Sequence, residues 1–286
     1  MSRSETAEAG AARTVAAART GSPRRGVPAA VAIPAALGGA VLVLPLLALL
    51  TRLNWAALPA TLASPETASA LGLSVGTALL ATCCCLLLGV PLAIVLSRAT
   101  GLLATAIRAV VTLPLVLPPL VGGLALLSLL GRGGVLGDAL FELGIRIPFT
   151  TAAVVIAQTF VSLPFLVISV EGALRGLDPR FELAAASLGA TPVRVLLRVV
   201  LPLVGPGVAA GTILCFTRAL GEFGATALFA GNAAGTTRTV PMAIYTAFNG
   251  AGITQDTALT LSLVLILVSI TALILLRGRA SAGAGI

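Results

Sequence analysis

"GLDPRFELAAASLGATPVRVLLRVVLP", residues 176–202, carries its own punctuation. Asp178 is suited to N-cap a helix with Pro179 at its first position, and Gly189 is suited to close that helix after Leu188. Thr191 then caps a second helix that starts at Pro192. The first helix is about ten residues, roughly 15 Å, while a bilayer's hydrocarbon is about 30 Å thick. It therefore lies outside any membrane, with Phe181, Ala184, Ala185 and Leu188 on one face and Arg180 and Glu182 elsewhere. Periodicity alone describes an amphipathic surface helix.

The sequence on either side is of another kind. Across 286 residues, 58% are hydrophobic and only 10% charged, and the mean hydropathy of +1.09 lies far outside the range of soluble domains. Too little polar sequence is present to cover a water-facing surface, so the chain reads as an all-α membrane protein. A span needs about 20 apolar residues. Six stretches qualify, at about 31–51, 70–97, 103–130, 149–172, 203–229 and 257–276. Pro45, Pro91, Pro114, Pro118, Pro119 and Pro164 fall inside them, which a bundle tolerates because neighbouring helices re-satisfy the freed carbonyls. Residues 1–30 are rich in Ala, Ser, Thr, Gly and Arg without periodicity and read as a disordered tail. Twin arginines in "SPRRGV", residues 22–27, raise a secretion signal as an alternative; the apolar run that follows has spanning length, so an uncleaved first helix is expected.

Two absences exclude whole classes of chemistry. All 18 basic residues are Arg, and His is absent. Without Lys there is no Walker A site, so the chain does not hydrolyse nucleotide that way. Without His there is no Ser/His or Cys/His pair and no HExxH zinc site. Cys83, Cys84 and Cys85 are consecutive and diverge by about 100° each on a helix, so with Cys215 they read as small packing residues. The arginines also orient the chain: thirteen fall in the two terminal segments and the loops around 98–108 and 173–202, and four (Arg52, Arg132, Arg146, Arg238) in the opposite loops. By the positive-inside rule both termini are cytoplasmic, with 173–202 a cytoplasmic loop, 230–256 an external one and 277–286 a second cytoplasmic tail.

Glu182, Ala184 and Ala185, then Gly189 four residues later, then "VVLP" at 199–202 resemble the EAA loop of permeases from binding-protein-dependent ABC transporters. The resemblance implies that Glu182, Ala184, Ala185, Gly189 and Pro202 couple the permease domain, 31–276, to a separate cytoplasmic ATPase. ATP and Mg would belong to that partner, and no cofactor or metal to this chain. It further implies a multi-pass protein of a bacterial or archaeal plasma (inner) membrane, without enzymatic activity of its own and without a nucleic-acid partner.

"TRALGEFGAT", residues 217–226, sets Arg218 and Glu222 four positions apart in an apolar run. An arginine at the centre of a span costs about 2.5–3.5 kcal/mol on insertion scales, so it needs a partner, and four residues along a helix supply one. The pair either locks the helix in the bundle or lines the substrate path. Gly221, Gly224 and Thr226 beside it join a candidate translocation pathway or gate, or else serve close packing. With "GNAAGTTRTVPMAIY", residues 231–245, this stretch resembles the molybdate-type permeases of the sulfate and molybdate branch, over roughly residues 70–276. That resemblance implies a homodimeric importer of molybdate or tungstate served by an external binding protein, with Arg238 and Tyr245 as candidate contacts to it. Residues 240–248 can form a short interfacial helix with Tyr245 at the headgroup level. A sulfate or thiosulfate permease is the alternative. A secondary transporter would explain the charge pair but not the EAA spacing.

Overall fold

A computed structural model describes residues 29–250 and 254–283, with side chains as far as residue 274. The tail expected over residues 1–30 lies outside the described residues apart from its last two, as do the side chains of Arg277 and Arg279. Every regular element among the described residues is helical. Two units are distinct, Met1–Arg52 and Leu53–Ile286. In the first, helix α1 (Ala29–Thr51) carries Pro34 and Pro45 inside an otherwise unbroken apolar run.

The second unit is built on two long helices, α3 (Pro65–Arg98) and α7 (Thr151–Arg175), preceded by the short α2 (Leu58–Leu62). Between them lie α4 (Gly101–Val116), α5 (Pro119–Leu130) and α6 (Gly137–Glu142), and after them α8 (Arg180–Ser187) and α9 (Pro192–Leu203). The chain then forms α10 (Gly205–Leu220), α11 (Gly224–Phe229), α12 (Val240–Phe248) and α13 (Gln255–Gly283). Helix α13 thus runs on through residues expected to be a tail.

Among the described residues four helices are long and apolar enough to cross a membrane, and two bent pairs bring the number to as many as six. The stretches at 103–130 and 203–229 are not single helices, which corrects the reading from hydropathy. Helices α4 and α5 meet at 117° across Leu117 and Pro118. Both residues are extended, with ψ of 136° and 132°. The cause is the doublet Pro118–Pro119, since each proline drives the residue before it out of the α region. Single prolines at 91, 114 and 164 remain inside their helices. Helix α10 stops at Leu220, and three residues separate it from α11.

The two breaks pack together. Gly224 sits so close to α5 that a Cβ there would lie 2.6 Å from the Pro119 Cβ, and a Cβ on Gly123 would lie 2.7 Å from the Ala225 carbonyl oxygen. Around them Leu126, Ala153, Val154, Ala157, Val161, Ala225 and Phe229 form one buried cluster. Gly123→Ala should therefore destabilise the protein by about 1–3 kcal/mol, because a backbone carbonyl cannot move aside as a side chain can. Gly76→Ala, where nothing lies within 4 Å, is the control and should be neutral or slightly stabilising. Equal melting temperatures for the two variants would refute this close approach.

Candidate functional site

Arg218 and Glu222 do pair, with Nη2 2.6 Å from Oε2, but not along one helix. Glu222 lies in the break, where its Oε1 accepts from the Ala225 N–H at 2.8 Å and so caps the first turn of α11. The carboxylate is 1% exposed and the Arg218 side chain 27%. One buried group thus neutralises a cation and caps the start of a helix. Pro119, Leu120, Gly221, Phe223 and Gly224 complete a recess of about 310 Å³ around the pair, so the start of α5 and the gap between α10 and α11 both contribute to it. Discontinuous spanning helices are a recurring way to present polar groups within a bilayer. Thr226 lies one turn beyond, fully buried.

Two polar residues that sequence reasoning passed over lie on α7. Gln158 and Ser162 are fully buried, and neither side chain has a hydrogen-bond partner among the described residues; the same holds for the Thr226 hydroxyl. The only sequence signal was the i, i+4 spacing of two polar residues in a span.

At the other end of the long helices the charges are knitted together. Arg108 donates from Nε to Glu171 Oε1 at 2.7 Å and from Nη2 to the carbonyls of Leu96, in the last turn of α3, and Ala99, just beyond it. Arg175 joins Glu171 at 2.9 Å. The arrangement ties the α3–α4 corner to α7 and fills the orphan carbonyls at a helix end. Glu182 of α8 lies 3.2 Å from Arg98, an exposed pair that adds little stability but places α8 at this end.

Helix α8 follows its sequence grammar. Asp178 Oδ1 accepts from the Arg180 N–H at 2.9 Å, and Gly189, at φ +82°, closes the helix. The regular turn begins at Arg180, so the helix is eight residues long rather than ten. Thr191 precedes α9 without a side-chain capping bond. Pro202 stands in the last turn of α9, just after a π-helical turn over Leu196–Val200, and α9 meets α10 at 67°. A missing N–H at Pro202 favours the looser turn before it. Ala184 and Ala185 lie along α8, and Phe181, Leu183 and Leu188 are exposed, Leu188 by 88%. Helix α8 thus carries an uncovered apolar surface on a helix too short to span.

The external candidates are not together. Helix α12 forms as expected, yet Val240, Met242, Ala243, Thr246 and Ala247 are buried, so it is packed into the unit rather than merely lying on it. Tyr245 faces the break, its ring centroid 5.0 Å from that of Phe223. Arg238 donates to Asn232 Oδ1 at 2.9 Å and lines a separate cavity of about 210 Å³ beside the start of α3. Cys85 and Cys215 are buried in one core cluster with Leu96, Leu166 and Val170, as packing residues are.

Comparison with known proteins agrees with this architecture. The permease of the molybdenum transport system of Mycobacterium tuberculosis is 49% identical over 243 residues, covering 85% of this chain and 90% of that one. The corresponding Haemophilus influenzae permease is 39% identical over 66% of this chain and 83% of its own. The sulfate transport system permease CysT of Escherichia coli is 36% identical over 72% and 75%. Among solved structures, a bacterial ABC transporter that imports alginate matches with a TM-score of 0.63 at 19% identity, over 90% of this chain and 94% of that one. Residues 86–280 match the family described as the inner membrane component of binding-protein-dependent transport systems, and the chain belongs to that family.

Proposed function

We propose that this chain is the membrane permease subunit of an importer for molybdate or tungstate, driven by ATP hydrolysis on a separate subunit. The observation that carries the reading is the 49% identity, over 85% of the chain, to a molybdenum transport permease, against 36% to a sulfate permease. In this reading the two bent pairs each count as one span, giving six, with both termini cytoplasmic. Two copies form the pathway, and an external binding protein delivers the oxyanion, with Arg238 and Tyr245 as two separate contacts to it. Helix α8 is the coupling helix: its exposed Phe181 and Leu188 seat in the ATPase, and Glu182 with Arg98 carries the push to α3. Arg108, Glu171 and Arg175 keep that corner rigid, so the displacement is passed on as a body rather than absorbed locally. At the break, Arg218 is neutralised by Glu222, which keeps an oxyanion from being held too tightly to leave.

The test is a reconstitution with the ATPase and the binding protein. ATP hydrolysis should rise when the binding protein is loaded with molybdate or tungstate and rise less with sulfate; the permease alone should hydrolyse nothing. Stimulation by sulfate-loaded protein with none by molybdate would hand the assignment to sulfate. Failure of permease and ATPase to associate would overturn the ABC reading altogether.

A further inference from the structure

Helices α7 and α10 pack antiparallel in a close register. A Cβ on Gly207 would lie 2.4 Å from the Ala173 Cβ, one on Gly211 would lie 2.9 Å from the Ser169 Cβ, and Ser169 Oγ donates to the Gly207 carbonyl at 3.0 Å. Each step of four along α10 is matched by a step of four back along α7. Further along α7, Ala157 and Val161 share one buried cluster with Ala225 and Phe229 of α11. Gln158 and Ser162, each one residue on from these, therefore lie on the stretch of α7 that packs beside α11, next to the break.

Several hydroxyls of the spans are bonded, although that of Thr67 in α3 is not. Thr159 donates to the Val155 carbonyl at 2.7 Å, Thr212 to that of Val208 at 2.7 Å and Thr217 to that of Ile213 at 3.0 Å. Gln158 leaves both amide atoms unbonded at zero exposure. A leucine of similar size would fill the same space without that desolvation cost. An amide left unpaired in this way is a stability cost of the kind proteins accept at sites that serve another state.

We infer that Gln158, with Ser162, is a neutral recognition element for the tetrahedral oxyanion, uncovered when α7 and the α10–α11 break move apart. Such an ion offers acceptors only. The Gln158 amide supplies two N–H donors and the Ser162 hydroxyl one. Neither adds charge to a site where Arg218 is already compensated, so the ion is guided without being trapped. The inference rests on the oxyanion reading proposed above.

The experiment compares Gln158→Leu and Gln158→Asn with wild type in the full complex with ATPase and binding protein. Gln158→Leu should match or exceed the wild-type melting temperature, keep the rise in ATP hydrolysis with molybdate-loaded binding protein, and lose about tenfold in uptake of labelled molybdate. Gln158→Asn, which keeps the donors on a shorter stem, should restore part of the uptake and alter the ratio of molybdate to sulfate transported. Wild-type uptake by Gln158→Leu would overturn the inference, as would a fall in its melting temperature, since that would mean the amide is bonded in the resting state. Equal uptake by the two variants would do the same, leaving only a role in shape. If wild type takes up none of molybdate, tungstate and sulfate, the oxyanion reading itself fails and this inference with it. If wild type transports and Gln158→Leu transports equally, this inference alone fails.

Discussion

Glu222→Ala is expected to lower the stability of the permease by about 3–5 kcal/mol and to cut uptake more than tenfold, because it strands Arg218 in the bundle. The magnitude follows from burial. The carboxylate is 1% exposed and 2.6 Å from the guanidinium, so its removal leaves Arg218, itself only 27% exposed, without its counter-charge. Removing Arg218 as well should recover much of the loss, since no uncompensated charge then remains. Recovery should fall short by about 1 kcal/mol, the worth of a helix cap, because Glu222 Oε1 also accepts from the Ala225 N–H. Thermal unfolding of wild type, both single variants and the double variant closes the cycle. Strictly additive losses would show that the residues do not interact.

What the sequence disclosed divides along a physical line. Features set by a residue and its near neighbours were legible: the Asp178 cap, the turn at Gly189, the apolar runs, the pairing of Arg218 with Glu222. The breaks were not. Hydropathy is blind to backbone direction, and a proline inside an apolar run is ordinarily harmless, as Pro91, Pro114 and Pro164 show. The signal that separates Pro118 is its successor, Pro119, for a doublet denies two consecutive residues the helical region. At 221–223 the signal was the carboxylate itself: Glu222 reads as a helical ion-pair partner, whereas it leaves the helix to cap the next one. Gln158 was illegible for a different reason. A glutamine in a span is unremarkable until the packing of α7 beside α11 decides what surrounds it, and that packing rests on contacts distant in sequence. Arg108 and Glu171 belong to the same class, each an unassigned charge until the α3–α4 corner meets α7.

The second large effect concerns coupling, and Gly189 isolates it. At φ +82° its N–H donates to the Ala186 carbonyl at 2.9 Å and the Ala190 N–H to the Ala185 carbonyl at 3.1 Å, the two bonds that turn the chain off α8. Nothing lies within 4 Å of a Cβ placed there, so a side chain meets no obstacle and only the backbone objects. Left-handed conformation costs an L-residue about 1–2 kcal/mol, more for a β-branched one, while asparagine adopts it with least strain. A graded series is therefore expected: Gly189→Asn near wild type, Gly189→Ala impaired, Gly189→Val the worst. In Gly189→Val the helix should unwind its last turn or leave at another angle, carrying the exposed Leu188 away from the surface it must meet. Uptake should fall at least tenfold and the ATPase should dissociate on purification, while membrane insertion and the melting of the spanning bundle stay unchanged, because α8 buries none of its residues in that bundle. Unchanged uptake with an unchanged ratio of permease to ATPase in Gly189→Val would remove α8 from the coupling path. A bundle that melts earlier in step with lost uptake would instead make Gly189 a folding residue, and the order of the Asn, Ala and Val variants in the two measurements tells these apart.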